Sequence, residues 1–117
     1  MMKQRRLGRT GQDVSVLSFG CGAVGGLMVR GAPADQERAV ARALELGINY
    51  FDTATLYGNG ESERNLGRVL KNLGRPPVLV ATKAMLTPTA GGMGEAIAAA
   101  LDASLKRLDL ERVDIFY

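Results

Sequence analysis

The sequence predicts an α/β fold in which strands and helices alternate along the chain. Apolar segments typical of strands end near Gly20, Asp52 and Lys83, about 31 residues apart, and an amphipathic segment follows each of them. Such a period is typical of βαβ units, whose parallel strands are joined by right-handed crossovers. Two architectures fit, a segment of a (β/α) barrel or an open doubly wound sheet, and both gather functional groups at the carboxyl ends of the strands.

The first half of the chain predicts a hairpin, a strand and a helix. Residues 4–17 alternate around the turn-rich segment GRTGQD, which predicts two short strands. The apolar segment VLSFGCG predicts a strand that runs into a glycine-rich loop, and Pro33 marks the end of this loop. We expect the first helix to begin at Asp35, as its N-cap, and to end at Gly47.

The second half predicts two further helices and three strands. The segment INYFD predicts a strand, and ESERNLGRVLKNLG predicts a helix that begins at Gly60 or Ser62 and ends at Gly74. In PPVLVATK, residues 78–81 are continuously apolar, as in parallel strands that are buried on both faces. The helix GEAIAAALDASLKRLDL and the strand RVDIFY complete the alternation.

Composition excludes several function classes. The 117 residues are 46% hydrophobic, enough for one domain with a core, and they include no histidine and one cysteine, Cys21. A transition-metal site is therefore not expected, and neither is an intrachain disulfide. No apolar run reaches the ~20 residues that span a bilayer, so we expect a cytoplasmic protein without a membrane segment. The basic residues cluster only at Lys3, Arg5 and Arg6, which does not favour nucleic-acid binding.

Three reactive side chains are predicted at neighbouring strand ends. Asp52 ends one strand, Tyr57 lies in the loop after it, and Lys83 ends the next strand. Because adjacent strands lie ~5 Å apart, we expect these side chains to converge. A nearby ammonium favours phenolate and lowers the pKa of a tyrosine from ~10, while a carboxylate keeps the lysine charged and directed. The three residues therefore predict a general acid that can protonate a carbonyl oxygen as hydride reaches the carbon.

Each of these features also has a more ordinary interpretation. An aspartate at a strand end often caps the next turn, an isolated lysine is often solvated, and a tyrosine often only packs.

Gly20, Gly22 and Gly25 fit the G-x-G-x-x-G spacing of an open dinucleotide-binding sheet. The next predicted helix begins about ten residues later, so its N-terminus is poorly placed to hold a pyrophosphate.

The segment GINYFDTATLYGNGESERNLGRVL resembles the signature of the aldo-keto reductase family, with its D-T-A-x-x-Y-G and G-E-S-E runs. VLVATK is similar to the family's strand that ends in the catalytic lysine, and LGRTGQDVSVLSFGCGAVGG resembles its N-terminal hairpin and first barrel strand. The resemblance extends over essentially all residues and implies a (β/α)₈ TIM barrel. Residues 1–117 would form its N-terminal portion, with a hairpin, about four parallel strands and three helices, as a fragment of one domain that is incomplete at the C-terminus.

The resemblance also implies an activity and roles for five residues. The family reduces aldehydes or ketones, as small-molecule carbonyl substrates, with NADPH. Asp52, Tyr57 and Lys83 match members of its catalytic tetrad, with Tyr57 as the proton donor. Gly22 and Ala23 match residues beside the nicotinamide, and Asp52 lies near it as well. An alternative is a non-catalytic reductase-like module with a binding or regulatory role, as in channel-associated relatives of the family.

Two expectations concern the chain on its own. The fourth tetrad member, a histidine, follows shortly after the position of Tyr117 in the family, and later βα units hold most of the cofactor there. We therefore expect residues 1–117 alone to be inactive. Cutting a barrel leaves two unpaired strand edges, so we also expect marginal stability or self-association through those edges.

Overall fold

The chain begins with an antiparallel hairpin, which is followed by four parallel strands in one sheet. In the computed structural model, which describes residues 1–117, the hairpin consists of β1 (Gln4–Arg6) and β2 (Asp13–Ser15). The parallel strands lie side by side in chain order and are β3 (Phe19–Gly20), β4 (Tyr50–Asp52), β5 (Leu79–Thr82) and β6 (Ile115–Phe116). A doubly wound sheet reverses its strand order at a switch point, whereas a barrel adds each strand beside the previous one. The sequential order therefore corresponds to part of a (β/α) barrel.

Helices occupy the connections between the parallel strands. They are α1 (Leu27–Arg30), α2 (Pro33–Glu45), α3 (Glu61–Asn72) and α4 (Met93–Leu108). The three long helices confirm the predicted alternation, whereas the single turn of α1 lies in a segment predicted to be an irregular loop. The buried Gln36 side chain donates to the carbonyl oxygens of Leu27 and Gly31 at 2.9 and 3.2 Å. This contact between a side chain and the backbone helps to hold α1, and the spacing of apolar residues in the sequence does not reveal it.

The predicted ends of the helices are mostly confirmed. Gly47 and Gly74 follow α2 and α3 with φ of 86° and 81°, a left-handed conformation that glycine adopts without strain. The predicted N-cap of α2 is wrong, because Ala32 is the N-cap and Pro33 occupies the first helical position. Proline suits that position because its missing N–H would have no partner in the first turn. Asp35 instead lies inside the first turn, where its charge complements the positive end of the helix.

The core lies between the parallel sheet and the helices that cover it. Phe51 of β4 and Val80 of β5 belong to the same buried cluster as Val40 of α2, Leu66 of α3 and Leu108 of α4. These side chains are at most 3% exposed. Packing on this side fixes the helices, so the carboxyl ends of the strands form one edge of the molecule.

Two further expectations concern the surface. The edges of the parallel sheet are β3 and β6, and self-association through them stays a prediction. None of the helices has the length and apolar character required to traverse a bilayer.

Helices α3 and α4 approach each other most closely at Gly67. A Cβ atom at this position would lie 2.9 Å from the Cα of Leu108 and would overlap the carbonyl group of that residue. Because the obstacle is backbone, no rotation of a side chain can relieve the overlap. The close packing of α3 against α4 therefore requires glycine here.

We expect Gly67→Ala to destabilise the fold by about 1–3 kcal/mol, because the added methyl group forces α3 and α4 apart. The free energy of urea unfolding of the full-length gene product measures this effect. Gly94→Ala is the matched control, since a Cβ at Gly94 in α4 would enter open space. Alanine is the better helix former, so the control should change stability by ~1 kcal/mol or less, in the favourable direction. Equal stability of the two variants would contradict the packing argument.

Candidate active site

Backbone pairing beyond the strand ends brings β3, β4 and β5 to a common edge. The N–H of Cys21 donates to the carbonyl oxygen of Asp52 at 2.9 Å, and the N–H of Thr55 donates to that of Lys83 at 2.9 Å. The pairing of the strands therefore continues into the loops that carry the predicted site residues. As a result, the side chains of Asp52 and Lys83 leave the backbone at neighbouring positions.

Lys83 and Asp52 form an ion pair at this edge. The Lys83 Nζ atom donates to Asp52 Oδ1 at 3.1 Å and to Oδ2 at 3.2 Å, and it also donates to the carbonyl oxygen of Thr53 at 2.9 Å. About a third of each charged side chain is exposed, 33% for Lys83 and 32% for Asp52. Three acceptors thus surround an ammonium group that has three N–H bonds to donate.

The surroundings of Lys83 keep it protonated. Partial burial lowers its pKa, but hydrogen bonding and charge interactions with Asp52 and Tyr57 outweigh this effect and leave the pKa above its ordinary value. Lys83 is therefore a stable positive charge at neutral pH. The sequence-based prediction that Asp52 keeps this lysine charged agrees with this arrangement.

Tyr57 lies beside the ion pair. Its ring centroid is 4.9 Å from Lys83 Nζ, and the side chain is half-buried in the loop after β4. Gly22 also lies beside the ring, because a Cβ atom there would be 3.8 Å from Tyr57 Cζ, the carbon that carries the hydroxyl group. Asp52, Tyr57, Lys83 and Gly22 are therefore brought together as predicted. Ala23 lies one residue further on, exposed in the loop after β3.

Tyr117 is a neighbour of the site that sequence reasoning did not identify. Its ring centroid is 5.8 Å from Lys83 Nζ, and its N–H donates to the carbonyl oxygen of Thr82 at 3.0 Å. Burial raises the pKa of the nearby Tyr50, and a hydrogen bond with Tyr117 raises it further. The available signal was that Tyr117 is the last residue of the predicted strand RVDIFY, whose end joins the same edge of the sheet.

Cys21 is close to the site but does not provide a nucleophile. Its side chain is 1% exposed, and burial, followed by the charge of Asp52, raises the pKa of the thiol to about 12. The thiolate is the reactive form of cysteine, so a thiol that stays protonated at neutral pH is inert.

Two buried polar residues, Ser62 and Glu63, lie in the first turn of α3. From the sequence, Ser62 was only a possible start of this helix, and Glu63 had no assigned role. Ser62 Oγ donates to the carbonyl oxygen of Cys21 at 2.8 Å and lies 2.7 Å from Thr53 Oγ1. It is fully buried, so these partners replace the water that it loses on folding. Ser62 thereby links α3 to the ends of β3 and β4.

Glu63 is the second of these residues and is also fully buried. Its Oε1 accepts a hydrogen bond from Arg107 Nε at 2.7 Å, and its Oε2 accepts one from Thr82 Oγ1 at 2.8 Å. The sequence did contain a signal, because Glu63 lies on the same helical stripe as the buried Leu66 and Leu70. A carboxylate on an apolar stripe indicates a buried partner.

Two proteins of known name are similar to almost the whole chain. L-galactose dehydrogenase of Arabidopsis thaliana is 39% identical over an alignment 116 positions long, which covers 97% of this chain and 36% of that protein. A probable voltage-gated potassium channel subunit beta of Oryza sativa subsp. japonica is 35% identical over a gapped alignment 127 positions long, which covers 99% of this chain and 37% of that protein. The chain thus spans little more than a third of the length of these curated relatives.

Solved structures and a family profile lead to the same assignment. The crystal structure of an aldo-keto reductase from Klebsiella pneumoniae in complex with NADPH matches with a TM-score of 0.74 and 27% identity, over 99% of this chain and 38% of that one. The profile of the aldo/keto reductase family matches residues 16–117, a range that includes Asp52, Tyr57 and Lys83. The match extends over most of the chain, which therefore belongs to the aldo/keto reductase family.

Proposed function

We propose that residues 1–117 supply the proton donor of an NADPH-dependent oxidoreductase that reduces aldehydes or ketones to alcohols. Membership of the aldo/keto reductase family supports an oxidoreductase. The observation that carries the proposal is the ammonium group of Lys83, held by Asp52 and Thr53 at 4.9 Å from the centre of the Tyr57 ring.

Each charged or polar residue of the site has a separate role in the proposed reaction. NADPH, when held at this edge, would supply the hydride that the carbonyl carbon accepts. The Tyr57 hydroxyl donates its proton to the carbonyl oxygen, which leaves a phenolate beside Lys83. The Lys83 cation stabilises this negative charge, and Asp52 holds the cation in place. The product alcohol thus receives its oxygen-bound proton from Tyr57, and the phenolate is reprotonated before the next cycle.

The residues at the end of β3 fit the nicotinamide end of the cofactor. A Cβ atom at Gly20 or Gly25 would meet nothing within 4 Å, and Gly22 presents bare backbone to the Tyr57 ring. A flat ring can therefore approach this edge closely. We assign Gly22, Ala23 and Asp52 to the nicotinamide side of the proposed site.

Exposed apolar side chains in the loops after the strands support an organic carbonyl compound as the substrate. Val24, Leu56 and Met85 follow β3, β4 and β5, and they are 101%, 61% and 82% exposed. Exposed apolar residues that cluster at one edge are typical of binding surfaces. We propose that they contact the part of the substrate that does not react.

A non-catalytic binding or regulatory module is the alternative, and the similarity to a probable potassium channel subunit beta favours it. The reductase is expected to oxidise NADPH in the presence of a carbonyl compound, whereas the binding or regulatory module is not. A full-length gene product that binds NADPH, measured by quenching of the cofactor's fluorescence, yet oxidises it with no aldehyde or ketone of a broad panel would support the alternative.

We expect Tyr57→Phe to lower kcat for an aromatic aldehyde by roughly 100-fold or more, because general acid catalysis typically contributes a factor of ~10²–10⁴. The rate of NADPH oxidation by the full-length gene product measures this effect. The ring is retained, so the affinity for NADPH should stay close to that of the wild type.

Tyr117→Phe is the matched comparison, since it removes the other phenol near Lys83, whose ring centroid lies farther away at 5.8 Å. We expect Tyr117→Phe to lower kcat less than Tyr57→Phe does. A wild-type rate for Tyr57→Phe would disprove the proton-donor role. A larger loss for Tyr117→Phe would transfer that role to Tyr117.

We expect Asp52→Asn to lower the pKa of Lys83 relative to the wild type, because burial lowers this pKa and the substitution removes the hydrogen bond and the negative charge of Asp52 that oppose it. In the wild type the folded-state pKa is raised. The ion pair therefore stabilises the fold fully below the ordinary lysine pKa of ~10.4, and this contribution is lost as the pH rises through the raised value.

The pH dependence of Lys83 acetylation by acetic anhydride measures this shift, because only the neutral amine reacts. Mass spectrometry gives the rate relative to Lys3, which is exposed in the hairpin. Asp109→Asn is the control, since Asp109 pairs on the surface with Arg75 and Lys71, away from this site. An unchanged profile for Lys83 in Asp52→Asn would contradict the assigned role of Asp52.

A further inference from the structure

A continuous series of buried polar contacts connects α3 and α4 to the segments that carry the candidate catalytic residues. It runs from Thr82 through Glu63 and Arg107 to Thr55, and we refer to these four residues as the polar bridge. Thr82 Oγ1 donates to Glu63 Oε2 at 2.8 Å, and Arg107 Nε donates to Glu63 Oε1 at 2.7 Å. Arg107 Nη2 then donates to Thr55 Oγ1 at 3.2 Å.

Glu63 and Arg107, at the centre of the polar bridge, have little freedom to move. Glu63 is completely buried, and the side chain of Arg107 is 20% exposed. Each carboxylate oxygen of Glu63 has its own donor, and Arg107 Nη2 also donates to Ser104 Oγ at 3.2 Å. Moving either charged group away from the other would leave an uncompensated charge in a buried site. The pair therefore behaves as a rigid connection between α3 and α4.

The two ends of the polar bridge reach the candidate catalytic residues. Thr82 is the residue directly before Lys83, and Thr55 is two residues before Tyr57. The N–H of Thr55 also donates to the carbonyl oxygen of Lys83 at 2.9 Å, so the segments that contain the two ends are themselves joined. Glu63 and Arg107 thus hold both segments from the side opposite the exposed edge.

An ordinary core would not need this arrangement. Well-packed apolar residues can replace a buried ion pair with no loss of stability, or with a gain, because charged groups lose hydration on burial. The apolar residues next to Glu63 on α3, Leu66 and Leu70, already provide packing of that kind. What an apolar side chain lacks is a directional contact that can fix the backbone before Lys83 to within a fraction of an ångström.

We propose that Glu63 and Arg107 are positioning residues, which act through Thr82 and Thr55 to set the separation between the Lys83 ammonium group and the Tyr57 ring. This inference rests on the proposed function of Lys83 and Tyr57. Neither Glu63 nor Arg107 touches the reacting atoms in this scheme. Their effect is on geometry, so their loss slows the proton-transfer step and leaves the affinity for NADPH unchanged.

Thr82→Val is the decisive variant, because it deletes one hydroxyl group and leaves the Glu63–Arg107 ion pair intact. We expect a fall in kcat of roughly 100-fold, the scale that misplacement by about 1 Å produces, with an unchanged KM for NADPH. Thr82→Ser restores the hydroxyl group and should recover most of the activity. Thr55→Val removes the hydroxyl group at the other end of the polar bridge. It should also lower kcat and leave the KM for NADPH unchanged.

A second readout does not depend on turnover. In Thr82→Val, displacement of Lys83 from Asp52 should raise the rate of Lys83 acetylation by acetic anhydride relative to Lys3, and Thr82→Ser should not. Glu61→Gln is the matched control on the same helix, because Glu61 pairs only with the exposed Arg64 at 3.0 Å. It should leave both kcat and the acetylation of Lys83 as in the wild type.

The two readouts separate failure of this inference from failure of the proposed function. Wild-type kcat together with wild-type acetylation of Lys83 in Thr82→Val and Thr55→Val would overturn the positioning role. A gene product that reduces no carbonyl compound would refute the proposed function. An altered acetylation rate of Lys83, rescued by Thr82→Ser, would then still establish that the polar bridge positions this lysine.

Discussion

The parallel register of β3, β4 and β5 is the constraint on which the candidate site depends. Gly20 lies opposite Asp52, and Asp52 lies opposite Ala81, two residues before Lys83. Because side chains alternate between the faces of a strand, a slip of one residue would turn Asp52 to the other face. The ion pair, the position of Tyr57 above it and the approach of Gly22 all follow from this register. The core residues Phe51 and Val80 support it, since in this register both pack in one cluster with side chains of the helices.

The structure combines an apolar core with a polar layer near the carboxyl ends of the strands. Burial of Ser62, Glu63 and Thr82 costs hydration, and each of them regains hydrogen bonds within the protein. This polar layer adjoins the ion pair of Lys83 and Asp52, of which about a third is exposed. Exposed pairs of this kind contribute little to stability by themselves, typically less than ~1 kcal/mol. Their geometry therefore has to be maintained by the layer beneath them, and a fixed geometry is what stabilisation of a developing charge requires.

The sequence was sufficient to predict the parts of the fold that depend on local patterns. The 31-residue spacing of strand ends and the glycines after the helices predicted the alternation of elements, and the types of residue at the strand ends predicted that Asp52, Tyr57 and Lys83 meet. The features that were missed depend on side-chain hydrogen bonds that the pattern of apolar residues does not show. Arg107 meets Glu63 across 44 residues, and Gln36 reaches back to α1 to satisfy its carbonyl groups. The start of α2 was misplaced for a local reason, because the preference of proline for the first helical position outweighed the capping tendency of Asp35.

Gly67 has a consequence for chemistry as well as for packing. It lies in the outer helical layer, yet its missing side chain decides how deeply α4 rests against α3 at Leu108. Arg107 is the preceding residue, so the same depth decides how far its guanidinium group extends towards Glu63 and Thr55. The distance between the backbones of α3 and α4 therefore affects the position of the loops at the carboxyl ends of the strands. Gly67 thus acts as a spacer for the proposed site without belonging to it, and a larger residue there would alter the geometry of Lys83 and Tyr57 from the outer helical layer.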